Sequence, residues 1–292
     1  MSFFREKSSK EDTLYARIRD YESYASVKSQ IETFWKQCES YAPKSFLKNI
    51  QLEENFHQRW WEMYLGIGLI NLNFDIKTSP KDEGPDFQII LPNQTIWIEA
   101  VAPKPGVTEE ALPEIFEGVH DLPEKQFLLR LIKILKAKKD GFHKYVHDKL
   151  VTEKDCCIIA LSSCALNQFG SLMDFPTPAP LKVLIGAGNL VLSKSGSFIN
   201  LREKIVESTG RNEEEVKLFE FPEFKIISGI LYSTTDPLNS PDRPEKTFQL
   251  FLNPSNSPTK NNLLIDRFAN IEIWLQIEKN EQETIWQRKK VL

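Results

Sequence analysis

The sequence predicts a mixed α/β fold, with helices flanking a mixed central sheet and a helical segment in front of it. Three observations carry this. Residues 11 to 40 have helical periodicity and contain no glycine or proline. Short β-branched or aromatic stretches separated by turn residues follow between 74 and 101. Beyond a long amphipathic stretch, Cys157-Ile158-Ile159-Ala160-Leu161 is a continuous apolar run, as a buried central strand requires. The order helix, strands, helix, strand is that of a mixed α/β core.

The elements follow in order. Leu14, Ile18, Tyr21, Tyr24, Ile31 and Phe34 recur at roughly helical spacing, and residues 1–44 are assigned to an N-terminal helical segment. The remaining 45–292 are assigned to one α/β unit with a mixed C-terminal extension. A second helix is expected from near Ser45, through Phe56-His57-Gln58-Arg59-Trp60-Trp61-Glu62, to about Asn71. A hairpin occupies residues 86–99, and Pro103, Pro105 and Pro113 mark the loop after it. The long helix is expected from about Pro123 to Leu150, with Leu128, Leu131, Leu135, Phe142 and Tyr145 on its core-facing stripe. Pro176, Pro178 and Pro180 punctuate the chain before Lys182-Val183-Leu184-Ile185, a strand candidate. Residues 199–208 read as a short helix, and Lys225 to Tyr232 and Thr247 to Leu252 as later strands.

Composition narrows the function classes. The 292 residues are 41% hydrophobic and 27% charged, ordinary for a globular chain, and the net charge is −4. A generally basic surface is therefore absent, so any nucleic-acid contact must come from a local patch. Cys38, Cys156, Cys157 and Cys164 have neither CxxC spacing nor a disulfide-dense pattern, which suits a reducing cytoplasm. No run of about 18 apolar residues occurs, so a soluble protein without a membrane partner is expected.

The hairpin carries the chemistry. Phe87-Gln88-Ile89-Ile90 and Thr95-Ile96-Trp97-Ile98-Glu99 are its arms, around Leu91-Pro92-Asn93-Gln94. Pro92 cannot adopt positive φ, so a loop of about four residues is favoured over a tight type I′ turn. With that loop Asp86 and Glu99 stand opposite one another on one face, Cβ atoms about 5 Å apart. Phe87, Ile89, Ile96 and Ile98 share the other. Two readings stand: a pair of solvent-facing acids, or a pair with a proton or divalent cation between them.

Glu62 and Lys138 bear on that choice. Lys138 falls on the apolar stripe between Leu135 and Phe142, whereas Lys136 and Lys139 lie off it. It must snorkel to the edge or meet a negative partner. Glu62 shares a face with Leu65 and Leu69 in a strongly apolar helix, either as an edge residue or as part of a site. Together, Glu62, Asp86, Glu99 and Lys138 supply what metal-dependent phosphodiester hydrolysis needs. The carboxylates offer hard oxygen ligands for Mg²⁺, with Mn²⁺ as a substitute, and the lysine orients water or neutralises charge at phosphorus.

In this order, Glu62 on a helix, Gly84-Pro85-Asp86 at a strand start and Ile98-Glu99-Ala100 at the end of the next strand, the chain resembles the PD-(D/E)xK, or restriction-endonuclease-like, nuclease superfamily. The resemblance is most specific over residues 56–165 and extends more weakly to Ile226–Tyr232 and Asn253-Pro254; the first 40 residues are not covered. It implies a restriction-endonuclease-like fold and a Mg²⁺-dependent nuclease acting on nucleic acid, DNA favoured over RNA. Glu62, Asp86, Glu99 and Lys138 would be catalytic, with Asp86, Glu99 and Glu62 holding the metal. Two residues after Glu99, where the superfamily usually has a lysine, stands Val101. Variants place that lysine on the following helix, which points to Lys138; Lys104 is the other candidate. The alternative is a catalytically silent fold of this kind that binds nucleic acid or protein.

Other signals are weaker. His143 and His147 share a helical face but have no obvious third ligand for Zn²⁺. Gly186-Ala187-Gly188 lacks the helix and third glycine of a dinucleotide site. Seven lysines between Lys133 and Lys154 form a solvated face or a track for phosphates. No helix-turn-helix, zinc finger or RNP signature is present.

Overall fold

The computed structural model describes residues 2–8, 10–78, 84–106, 111–113, 122–166, 172–174, 177–193, 196–206, 213–279 and 284–289. The N-terminal helical stretch is two helices, α1 (Thr13–Asp20) and α2 (Ala25–Cys38). Tyr21 takes an extended backbone between them and a single 3₁₀ turn restarts the chain. Asp12 caps α1 by accepting the Tyr15 N–H over 2.9 Å. The second helix starts at Phe56 rather than near Ser45: α3 spans Phe56–Asn71, and residues 44–55 form successive turns in which Asn49 sits at φ 57°. Apolar residues there fill the core without helical backbone.

After α3 come β1 (Ile76–Thr78), β2 (Phe87–Ile90) and β3 (Thr95–Val101), then α4 (Glu124–His147) and β4 (Cys156–Ser162). The strand expected at Lys182–Ile185 is instead helical, α5 (Ala179–Leu184). Pro180 in its first turn has φ suited to a helix, and every residue of α5 is buried, so its apolar run carries no periodicity that separates helix from strand. The helix expected over 199–208 is also corrected. Chain 196–206 is extended, as β6 (Gly196–Leu201), paired with β5 (Ala187–Ser193), and β7 (Lys204–Val206), paired with β8 (Glu213–Glu215). Residues 207–208 and Pro176 lie outside the described residues. The chain then forms β9 (Ile227–Ser233), β10 (Gln249–Leu252), α6 (Pro258–Arg267), β11 (Glu272–Lys279) and β12 (Thr284–Lys289).

Eight strands make the central sheet in the order β1-β2-β3-β4-β9-β10-β11-β12. The fold is thus mixed α/β, and the sheet is mixed: β3, β4 and β9 run parallel, while β1-β2, β2-β3, β9-β10 and β11-β12 are antiparallel. Two apolar clusters cover its faces. One joins α1, α2 and α3 to Phe87, Ile89, Ile96 and Ile98; the other joins α4 and α5 to Val101, Ile159 and Leu161. The aromatic residues of the N-terminal segment, Phe3, Tyr15, Phe34 and Trp35, lie in the same cluster as Trp60 and Trp61 of α3. Gly68 lets α3 approach the 3₁₀ turn that precedes β10, because a Cβ there would lie 2.5 Å from Phe248 Cζ.

Candidate active site

Two antiparallel arms and a short turn bring the first two acids together. The ladder pairs Phe87 with Ile98 and Ile90 with Thr95, and the Leu91 N–H closes the four-residue turn onto the Gln94 carbonyl at 3.0 Å. One step further along this register sets Asp86 opposite Glu99. The Ala100 N–H donates to Asp86 Oδ2 over 2.8 Å, fixing the carboxylate against the end of β3. Gly84, at φ 121°, supplies the backbone bend that leads into this strand.

Lys138 completes the pair from the opposite helix. Its Nζ donates to Glu99 Oε1 at 2.6 Å, with the two side chains 26% and 12% exposed. The apolar stripe of α4 is buried against the sheet, so the lysine on that stripe runs along it to the rim and ends on a carboxylate. Val101, which shares Glu99's face of β3, is 5% exposed and packed in the cluster of Leu131 and Leu135. The residue two beyond Glu99 is therefore core, and the ammonium comes from α4.

Glu62 enters from α3 and is itself buried. Both of its oxygens are engaged: Gln58 Nε2 donates to Oε1 at 2.9 Å and Arg59 Nη1 to Oε2 at 2.6 Å. Gln58 does more. Its Nε2 also reaches the Ala100 carbonyl at 3.1 Å, and its Oε1 accepts the Ala102 N–H at 2.8 Å, so one side chain joins α3, Glu62 and the end of β3. The Arg59 guanidinium lies 5.4 Å from the ring centre of Phe46.

All four sequence-predicted residues line one cavity of about 460 Å³. Gln58, Arg59, Tyr41 and Tyr145 line it too, four residues that the sequence alone does not assign to the site. Gln58 and Arg59 precede Glu62 by four and three residues on one helix face, and Tyr145 lies two turns beyond Lys138, so helical spacing was the available signal. Lys104, the other lysine candidate, is not among the lining residues; its carbonyl accepts from Arg130 Nε at 3.0 Å.

Three carboxylates face two cations here, and their protonation reflects it. Burial pushes Asp86 well above the usual carboxylate range, and the charges of Glu62 and then Glu99 push it further, against the Ala100 N–H and Lys138. Burial raises Glu99 as well, with Lys138 opposing and Glu62 adding to the rise. Tyr145 is pushed up to about 12 by burial and by Glu99 and Asp86, and Cys38 to about 12 by burial and Glu62, so both stay neutral near pH 7. Among the described residues, no group of three or more His, Cys, Asp or Glu side chains is placed to hold a metal ion. A pair is enough for Mg²⁺, which keeps several waters and is commonly bound through one or two carboxylates. Facing, half-buried, mutually repelling carboxylates are a donor set that fits such a cation.

The remaining signals have local partners. His143 Nε2 pairs with the Glu223 carbonyl at 2.8 Å and His147 Nδ1 with Asp148 Oδ1 at 3.1 Å. Gly186 follows α5 and precedes β5, so the order is helix to strand, and its φ of 73° serves the turn between them. Of the lysine run, Lys136 is paired with Glu214 and Lys139 with Asp140. No helix among the described residues is long and apolar enough to cross a membrane. Comparison with models of known protein families, with curated proteins and with solved structures finds no match for this chain.

Proposed function

We propose that this chain is a metal-dependent nuclease hydrolysing phosphodiester bonds of nucleic acid, with DNA favoured over RNA and a restriction-endonuclease-like fold. The observation that carries the reading is the Lys138–Glu99 ion pair at 2.6 Å beside the facing Asp86. A half-buried ammonium held against a carboxylate pair is costly unless the group is put to use or fully compensated.

In this reading Asp86 and Glu99 hold a divalent cation, Mg²⁺ or Mn²⁺. Such an ion, when bound, supplies Lewis acidity toward a phosphate oxygen and an acidified water. Glu62 acts by charge and orientation, since Gln58 and Arg59 already occupy its oxygens. Gln58 keeps α3 in register with β3, so that Glu62 faces the pair. Lys138 stands beside the place where negative charge grows when a water oxygen adds to phosphorus and the P–O bond to the leaving group breaks. Its ammonium neutralises that charge, and its hydrogen bond to Glu99 keeps it aimed there.

Val101 favours a second reading, a catalytically silent fold of this kind that binds nucleic acid or protein, because the strand position two beyond the acidic residue is filled by a buried valine. Calorimetric titration with Mn²⁺ separates the two. A nuclease binds Mn²⁺ in wild type and loses that binding in Glu99→Gln, and wild type cuts an oligonucleotide in Mn²⁺ where Asp86→Asn does not. A wild type that neither binds Mn²⁺ nor cuts DNA or RNA overturns the proposal.

A further inference from the structure

The cavity has two walls, built from opposite faces of the sheet. One is α4, through Lys138 and Tyr145; the other is the chain just after α2, through Tyr41, Pro43 and Phe46. The second wall is anchored. Phe46 is 3% exposed and stacked on Trp35 with ring centres 5.3 Å apart, Thr78 Oγ1 donates to the Tyr41 carbonyl at 2.7 Å, and the Tyr41 N–H returns to the Cys38 carbonyl at 2.9 Å. At the floor, the Glu62 and Glu99 side chains are only 9% and 12% exposed.

We infer that the substrate reaching this floor is a single-stranded segment of nucleic acid, with a base lying against Tyr41. The inference rests on the nuclease reading of the site. A volume of about 460 Å³ falls within the range of pockets that engulf a small-molecule-sized group, and a nucleotide is such a group. A continuous duplex is a broad rigid cylinder, poorly shaped to bring a phosphate to carboxylates whose side chains are only 9% and 12% exposed. A single strand bends at each nucleotide and can lower one phosphate to the floor. Tyr41, 39% exposed on the wall, offers an aromatic face, and base stacking on such faces is the sequence-tolerant way in which proteins hold single strands.

The test uses the full chain and one labelled oligonucleotide, offered as a single strand and as its blunt duplex. In Mn²⁺ the single strand is expected to be cut at least tenfold faster, and a duplex cut as fast or faster overturns the inference. Binding is measured separately by fluorescence anisotropy in Ca²⁺. The single strand is expected to bind at least tenfold more tightly than the duplex, and Tyr41→Ala to weaken single-strand binding about tenfold, the range of one lost stacking contact. Equal affinity for the two forms, or Tyr41→Ala binding like wild type, overturns it. If neither form is cut, the hydrolytic reading fails alone, and the binding measurements still decide the strand preference.

Discussion

Lys138 Nζ lies 2.6 Å from Glu99 Oε1, and this ion pair joins α4 to β3 across 39 residues of sequence. Removing the ammonium leaves Asp86, Glu99 and Glu62 without the cation nearest the pair. Lys138→Met keeps the apolar stem that lies along α4, so the fold should survive. In the proposed mechanism kcat should fall by about 10²–10³, the usual effect of losing one group that stabilises transition-state charge. Steady-state cleavage of a labelled oligonucleotide in Mn²⁺ reads this out, and an unchanged kcat would remove Lys138 from the mechanism.

Asp86 should show a trade between stability and metal binding. A carboxyl whose folded pKa is raised lends most stability below its unfolded value of 3.8, and that contribution is lost as pH rises through the folded value. At pH 7 the buried, repelled Asp86 is therefore a liability in the metal-free protein. Asp86→Asn, which can still accept the Ala100 N–H, should raise Tm by about 1.5–2 °C, the shift that about 1 kcal/mol gives in a chain of this size, and should abolish Mn²⁺ binding. Scanning calorimetry with and without Mn²⁺ checks both.

Mn²⁺ affinity should rise with pH. Asp86 and Glu99 are both raised, and each must give up its proton to ligate a cation. Titrations from pH 5 to 8 in two buffers of different ionisation enthalpy should show affinity increasing with pH and protons released on binding at the acid end. A pH-independent affinity would contradict this assignment of the donor pair.

Gln58 should behave as a positioning residue. Gln58→Ala strands the Ala102 N–H and frees Glu62 Oε1, and about 1–3 kcal/mol of stability should be lost, as for an unpaired buried polar group. Activity should fall about tenfold. Gln58→Glu retains the acceptor for Ala102 but sets a second carboxylate beside Glu62. It should therefore keep more of the stability than of the activity, a split that denaturant unfolding and kinetics measured side by side would expose.

The N-terminal segment is held partly by His57, whose Nε2 faces Asp12 Oδ2 at 3.5 Å. Burial opposes the imidazolium, but Asp12 and Cys164 favour it and win, so His57 is pushed up to about 10. A raised histidine lends stability that is complete below about 6.5 and lost as pH rises through 10. The Tm advantage of wild type over His57→Gln should accordingly be largest at pH 6 and shrink toward pH 10.

The legible parts were those in which one spacing fixes one geometry. Alternation around Pro92 and Asn93 allowed a symmetric even turn, and any such turn centred there sets Asp86 across from Glu99. The lysine on the α4 stripe had nowhere to go except to the rim or a negative partner, and it reached a partner. The illegible parts lacked such a constraint. Residues 179–184 are buried on all sides, so their apolar run reads equally as strand or helix, and the structure makes it α5. Gln58 is an ordinary helix residue until β3 is placed beside it, because its partners at Ala100 and Ala102 lie more than 40 residues away. Tyr41 and Phe46 sit in a segment of turns without periodicity, and only packing against α3 and β1 brings them to the cavity.

The arrangement of the site along the chain has a consequence for the protein's own synthesis. The carboxylates of α3 and the hairpin leave the ribosome well before α4, so a nascent chain carries the acids without their lysine. Only when α4 docks on the sheet do the two meet. Until then the acids lack the ammonium that the proposed mechanism requires, and any truncated product ending before Lys138 lacks it permanently.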